Sequence, residues 1–374
     1  MIKLSKHRPN GPKDQSRGVE MFIDADTHVD ECEDTWAHVP KGLEDMVPHS
    51  IEFPEDSTPS FLSGNRSSGS GYYRMWLIDG QLFPHRVRSD ERTGTTLATR
   101  ELYDVGARVK HMDELGVETQ VIFPTVFLHE VTRRAELEVA LYQSYNRWLA
   151  ERCGDSGGRL RWVALIPYSS PADAVTELQW AKEHGAVGIF KRGIECGGRT
   201  AADHFFDRAY EVAADLDLPV CIHQAQQWTP NQAPYSQNPV DRGDSFPVVA
   251  AFSSLLDGKI WERFPGLRFG FIESSAAWLG YLLGRAGWPV KRGEARTRSL
   301  AELNFFVTVE VYEDIPYLID IAGGEDNFVV GSDYCHGDRA SVIDAHQVLI
   351  GRPDIDDKAS LKITSENARS LYAL

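Results

Sequence analysis

Eight short apolar runs, most of them separated by helical patterns, constrain this chain more than any other feature. They fall at Phe22–His28, Thr119–Pro124, Arg161–Pro167, Ala186–Lys191, Leu218–His223, Leu267–Glu273, Phe305–Val309 and Asn327–Asp333. Most of the runs are largely apolar up to their polar ends, as expected of parallel strands buried on both faces rather than of an alternating half-exposed sheet. Between the runs the period changes. Ala107–Leu115 reads as a short amphipathic helix stopped at Gly116, and Leu137, Leu141, Tyr145 and Trp148 mark one face of a longer helix. Pro171–His184 begins with proline and ends before Gly185, the usual asymmetry of helix termini. Further helices are predicted over Ala201–Asp215, Val248–Phe264, Ala276–Arg285 and Pro316–Ala322. Eight such units in 374 residues predict an α/β chain folded as a (β/α)8 TIM-type barrel. An open doubly wound sheet would carry a glycine-rich turn after its first strand, and none is present.

One stretch interrupts the regularity. Residues 29–104 contain turn-rich segments at 54–59 and 63–71, then Tyr72–Ile78 and Gln81–Phe83 joined by Asp79-Gly80. Asp-Gly between apolar runs is a strong hairpin signal, so this region is expected to be an insertion carrying a small β-hairpin. Its Tyr72, Tyr73 and Trp76 suit either hairpin packing or a lid over an apolar substrate. Residues 1–19 are polar and are expected to form a flexible arm ahead of the barrel domain, residues 20–374.

In a barrel, chemistry gathers at the carboxyl ends of the strands. Those ends carry Asp26 and His28, Lys191, His223, Glu273 and Asp333. Asp26 and His28 are two residues apart, so in a strand they point to the same face. Two imidazoles with two or three carboxylates make a site for zinc, manganese or iron with a position open to water. His336 is placed to touch a ligand or the substrate. Lys191, followed by Arg192, suits a metal-bridging role or an anion contact, and Trp228 is a candidate pocket wall.

Composition narrows the partners. The formal net charge of −16 disfavours nucleic acid and anionic membranes, leaving a small molecule as the expected partner. No apolar run is long enough to span a bilayer. Five scattered cysteines without a C-x-x-C pair suggest reduced thiols and a cytoplasmic protein. No Walker loop, dinucleotide fingerprint or nucleophile elbow is present. Barrels of this size often pair, so a homodimer is an allowed assembly.

The set Asp24-Ala25-Asp26-Thr27-His28-Val29-Asp30-Glu31, Cys221-Ile222-His223, Arg268–Glu273 and Gly331-Ser332-Asp333-Tyr334-Cys335-His336 resembles the amidohydrolase superfamily. The nearest branch is amidohydrolase-2, which includes aminocarboxymuconate-semialdehyde-type decarboxylases. The resemblance implies that Asp26, His28, His223 and Asp333 are metal ligands, with Asp26 in place of the first histidine of the usual pair. It implies that Asp333 is also the acid/base. Decarboxylase members usually carry a second histidine at the end of strand six, where this chain has Glu273. Glu273 is therefore expected to ligate or to act as a second catalytic carboxylate.

The leading expectation is hydrolysis by a metal-activated water of an amide, an ester or lactone, or a β-keto carbon–carbon bond. The alternatives are non-hydrolytic decarboxylation of an aromatic or unsaturated acid, and a non-haem (di)iron monooxygenase on the same scaffold. One or two divalent ions per chain are allowed.

Overall fold

All eight apolar runs form strands of one parallel sheet, paired strictly in chain order. The structure, a computed structural model, describes residues 21–54, 72–85, 88–224, 245–288, 299–337 and 340–374. The barrel strands are β1 (Phe22–His28), β2 (Val117–Phe123), β3 (Leu160–Leu165), β4 (Ala186–Arg192), β5 (Val220–His223), β6 (Phe269–Ile272), β7 (Phe305–Thr308) and β8 (Phe328–Val329). Helices between them cover the outside, giving the expected barrel. Val105–Leu115 ends as predicted, with Gly116 at φ 74°, a left-handed cap that costs glycine little.

The barrel closes where β8 and the segment after it return to β1. Ala25 N–H donates to Val330 O (3.1 Å), Asp333 N–H to Asp26 O (3.0 Å) and His28 N–H to Tyr334 O (2.9 Å). Beside this seam, Ser332 donates through N–H (2.8 Å) and hydroxyl (2.6 Å) to the two oxygens of buried Asp24. Gly331 lies in the seam, and a side-chain carbon there would meet Asp26 Cβ at 2.3 Å. The C-terminus is tied to β1, where the Tyr372 hydroxyl donates to Ala25 O at 2.8 Å.

Several elements differ from the sequence reading. The α-helix expected over Ala201–Asp215 is confined to Asp207–Asp215, behind a 3-10 turn at His204–Phe206. The Val248–Phe264 helix becomes Phe246–Asp257 and Ile260–Arg263, separated where Lys259 turns left-handed at φ 47°. The last barrel strand is much shorter than predicted, because backbone beyond Val330 bends into the closing seam. Two ladders have no sequence signal: His49–Pro54, and the pair Ile194–Glu195 with Arg199–Thr200.

The hairpin is present as Tyr72–Ile78 with Gln81–His85, turning through Asp79 (φ 47°) and Gly80 (φ 76°). Two positive φ angles define the turn that suits strand twist. His49–Pro54 completes a three-stranded sheet. Trp76 is buried edge-on against Trp36 (5.4 Å) and stacked on His85 (4.0 Å), so it packs the hairpin to the barrel and does not face a substrate. The side chains of Tyr72 and Tyr73 and the expected arm, residues 1–19, lie outside the described residues. A second tie is Asp30, just past β1, held by Arg88 (2.6 Å) and Arg100 (3.1 Å). Burial would raise its carboxyl, but the two guanidinium groups outweigh that and hold it low.

Candidate metal centre

Strand direction alone brings Asp26 and His28 to one face at the carboxyl end of β1, and β5 delivers His223 opposite them. His223 Nε2 lies 3.3 Å from Asp26 Oδ1 and 3.6 Å from Glu273 Oε2. His28 Nε2 lies 3.5 Å from Asp26 Oδ1 and 3.5 Å from Asp333 Oδ1. Two ligand atoms roughly 2.1 Å from one ion, at octahedral to tetrahedral angles, stand about 3.0–3.4 Å apart. The observed spacings, 3.3 to 3.6 Å, lie at or slightly above the upper end of that range. All five side chains are buried.

Glu273 and Asp333 reach the centre by a different route. Each sits just past the end of its strand in the left-handed region, at φ 50° and φ 52°. A non-glycine residue there carries a backbone cost that the surrounding structure must offset. The turn points each carboxylate back over the mouth of the barrel.

The imidazoles are oriented by what holds their far nitrogens. His28 Nδ1 lies 2.9 Å from Pro124 O, and His223 Nδ1 lies 2.6 Å from Gln224 O. A carbonyl only accepts, so in both rings Nδ1 carries a proton, which leaves Nε2 as the nitrogen turned to the centre. Metal-binding histidines are held in this way. The buried Nε2 of His28 makes no hydrogen bond to the described residues.

Electrostatics differ between the two rings. Burial, then neighbouring His336, lowers His28 to about 4, so its ring is neutral at pH 7. Burial alone would raise Asp26, but His223 and His28 outweigh it and hold the carboxyl well below its usual range. His223 is raised, because Asp26 outweighs the burial that would lower it.

His336, expected near the ligands, stacks on His28 with ring centres 3.9 Å apart, and its Nδ1 is 2.7 Å from Asp333 Oδ1. Asp333 Oδ2 accepts from the Ser341 hydroxyl at 2.5 Å. A cavity of about 260 Å³ opens on Asp333 and His336, lined also by Arg92, Thr93, Tyr334 and Ser341.

Lys191 does not join the centre. Its ammonium is 2.6 Å from Glu195 and lies over the rings of Phe206 and Tyr168. A fully buried ammonium in that setting is an internal ion pair, not a bridge between ions. Trp228 lies outside the described residues. Trp278 packs on Phe252 and donates to Ser274 O, a structural role.

Three contributors escaped the sequence reading. Thr125 lies 3.1 Å from His336 Nε2, and Glu31 accepts the backbone N–H groups of Thr125 and Val126, each at 2.9 Å. Ser341 is the third. Thr125 directly follows the apolar run that ends at Pro124, so the rule of strand ends could have found it. Glu31 and Ser341 carry no such signal.

An amidohydrolase-2 family model, described as amidohydrolase, matches residues 23–374. The chain belongs to the amidohydrolase family. Curated protein sequences contain no match to it. Among solved structures, this amidohydrolase is similar to an amidohydrolase of Mycobacterium avium subsp. paratuberculosis K-10, with 19% identity and a TM-score of 0.73 over 95% of this chain and 98% of that one. It is also similar to the 5-carboxyvanillate decarboxylase of Novosphingobium aromaticivorans DSM 12444, complexed with manganese and 4-hydroxy-3-methoxy-5-nitrobenzoic acid. There the identity is 18% and the TM-score 0.66, over 98% of this chain and 100% of that one. A dihydroxybenzoic acid decarboxylase of Polaromonas sp. JS666, with bound manganese and 2-nitroresorcinol, gives 18% and 0.61 over 95% and 97%. These likenesses establish the barrel. The buried His, Asp and Glu side chains form a group able to hold a divalent ion.

Proposed function

We propose that this amidohydrolase is a manganese-dependent, non-hydrolytic decarboxylase of a small aromatic carboxylic acid. The observation that carries the reading is the cavity of about 260 Å³ against Asp333 and His336. It falls below the roughly 300–1,000 Å³ usual for drug-sized ligands, and it suits a single substituted ring. Arg92 on its wall supplies a positive charge for an acid. Decarboxylase neighbours that span nearly the whole chain support the same reaction class.

Asp26, His28, His223 and Glu273 would hold the ion, which supplies a positive anchor for the substrate carboxylate and a neighbouring oxygen. Asp333 then acts as the acid. It delivers a proton to the ring carbon that bears the carboxylate, a C–H bond forms, and the carbon–carbon bond breaks. The electron pair of that bond returns to the ring as carbon dioxide leaves. Ser341 and His336 hold the Asp333 carboxyl in place, and burial keeps water from competing for its proton.

Glu273 gave hydrolysis the first claim in the sequence, but the physical argument runs the other way. Each carboxylate that ligates an ion donates negative charge and makes a bound water less acidic. A centre with carboxylates from β1 and β6 among its ligands is therefore a weaker source of hydroxide than one ligated by imidazoles alone. Decarboxylation asks for an anchor, not for hydroxide.

The test is to load the enzyme with manganese and offer two panels, hydroxybenzoic acids and matched amides, esters and lactones. Carbon dioxide release from the acids without oxygen consumption is expected. Turnover of the second panel alone would return the enzyme to hydrolysis, and oxygen-dependent turnover would make it an oxygenase.

A further inference from the structure

We infer that Arg108 is a positioning residue for the reaction: from the helix Val105–Leu115 it holds the strained turn that aims the Asp333 carboxyl. The inference rests on the proposed role of Asp333 as the acid. Arg108 is fully buried. Its Nε donates to Gln120 Oε1 at 2.7 Å. Its Nη1 is shared among His28 O at 3.0 Å, Thr99 O at 3.3 Å and Cys335 Sγ at 3.4 Å. The guanidinium carbon lies 3.7 Å from the centre of the Tyr334 ring. One side chain thus grips the end of β1 through His28, and the turn after β8 through Tyr334 and Cys335. Its Nη2 makes no hydrogen bond to the described residues. A buried charge with an unmatched donor is a poor source of stability, so the grip itself is what the arginine supplies.

That turn needs holding. Asp333 sits at φ 52° and Cys335 at φ 88°, so left-handed residues flank Tyr334 on both sides. Neither is glycine, and such conformations persist only where the surroundings enforce them. Backbone bonds fix part of the turn: Asp333 N–H donates to Asp26 O at 3.0 Å, and His28 N–H to Tyr334 O at 2.9 Å. Arg108 fixes the side chains. Its flat face covers the Tyr334 ring, and its Nη1 meets the Cys335 thiol at one acceptor, His28 O, which the thiol reaches at 2.8 Å. The same helix holds the far end of the ring, where the Tyr334 hydroxyl lies 2.9 Å from His111 Nδ1 and donates to Thr99 Oγ1 at 3.1 Å. A lysine would keep the charge but lacks the planar fork that stacks on Tyr334 while reaching Gln120 and His28.

Arg108→Lys in the manganese-loaded protein tests this. The kcat for carbon dioxide release should fall by about 10–100-fold with KM little changed, because a misaimed acid slows proton delivery and not binding. The solvent deuterium isotope effect on kcat should rise, since proton delivery becomes the slower step. Native-state hydrogen exchange, followed by mass spectrometry, should quicken by about tenfold in residues 331–337. Leu178→Ala is the control. Leu178 is buried on the outer helix Pro171–Glu183, so its loss should lower Tm and leave kcat, isotope effect and exchange of 331–337 as they were. If Arg108→Lys does not fold, Tyr334→Leu takes the ring from beneath the guanidinium with Arg108 in place, and the same three changes are expected. A folded variant with unaltered kcat, or with unaltered exchange in 331–337, overturns the inference. So does a fall in kcat that Leu178→Ala reproduces. If the unaltered protein releases no carbon dioxide from any acid, the proposed function fails instead, and the exchange of 331–337 alone decides the inference.

Discussion

Substituting Gly331 by alanine tests whether the closing seam of the barrel and the metal centre are one mechanical unit. The added carbon would lie 2.3 Å from Asp26 Cβ, 2.9 Å from Asp26 O and 3.0 Å from Asp26 Cα. Ordinary contact begins near 3.4 Å, so the two segments must part by about 1.1 Å, and the obstacle includes backbone. The seam hydrogen bonds Ala25–Val330 and Asp333–Asp26, at 3.1 and 3.0 Å, would then stretch beyond useful length. Two such bonds contribute about 1 kcal/mol each, and the overpacking itself costs roughly 1–3 kcal/mol. The expected loss is about 3–5 kcal/mol, or roughly 4–6 °C in Tm for a chain this large. Asp26 is a proposed ligand, so manganese affinity should fall by about 10–100-fold in the same variant. Thermal unfolding with and without metal, beside equilibrium dialysis, measures both. Gly154→Ala is the control, because nothing lies within 4 Å of the added carbon there. A Gly331→Ala protein with unaltered Tm and metal affinity would refute the coupling.

Three further outcomes are expected. Burial pushes the Glu31 carboxyl up to about 7 from 4.5, against the lowering pull of the Val126 and Thr125 N–H groups. An acid whose folded pKa is raised keeps its proton in the fold after the unfolded chain has lost it. Its contribution to stability therefore falls as pH rises from about 4.5 to about 7, by about 3 kcal/mol in all. Glu31→Gln cannot ionise, so its stability relative to the unaltered protein should improve by about that amount between pH 4.5 and 8, and parallel urea curves would contradict the assignment. Asp333→Asn keeps a residue type that tolerates φ 52° and should lower kcat by roughly 10²–10⁴-fold with an unchanged circular dichroism spectrum. Chelation should destabilise the protein by about 4 kcal/mol relative to manganese at 1,000 times its Kd, with recovery on adding the ion back. An unmoved Tm would show that the centre holds no metal.

The sequence made the barrel legible because its strands are buried on both faces, which leaves continuous apolar runs that end abruptly in polar residues. Asp26, His28 and His223 were readable for the same reason, since strand geometry alone aims them at the mouth. Glu273 and Asp333 were found by position, but not the left-handed turns that aim them, because those arise from packing between loops. Lys191 was misread because its partner Glu195 stands on a two-residue ladder that no periodicity reveals. Val248–Phe264 looked like one helix because its apolar pattern continues through Lys259, where the backbone reverses. Reaction class was hardest to read. One carboxylate in place of a histidine pointed to hydrolysis, but the residues at the strand ends are compatible with either reaction.

The seam sets an order for assembly. Asp24 and Ser332 are 308 residues apart, and their hydrogen bonds form only when β8 meets β1. Asp333 and His336 arrive with that same segment. Contacts so distant along the chain are slow to form, because a long loop must close before they give anything back. The candidate ligands Asp26, His28, His223 and Glu273 stand on earlier segments, whereas Asp333 and His336 cannot be in place until the ring is complete. Closing the barrel and completing the candidate centre are thus one event.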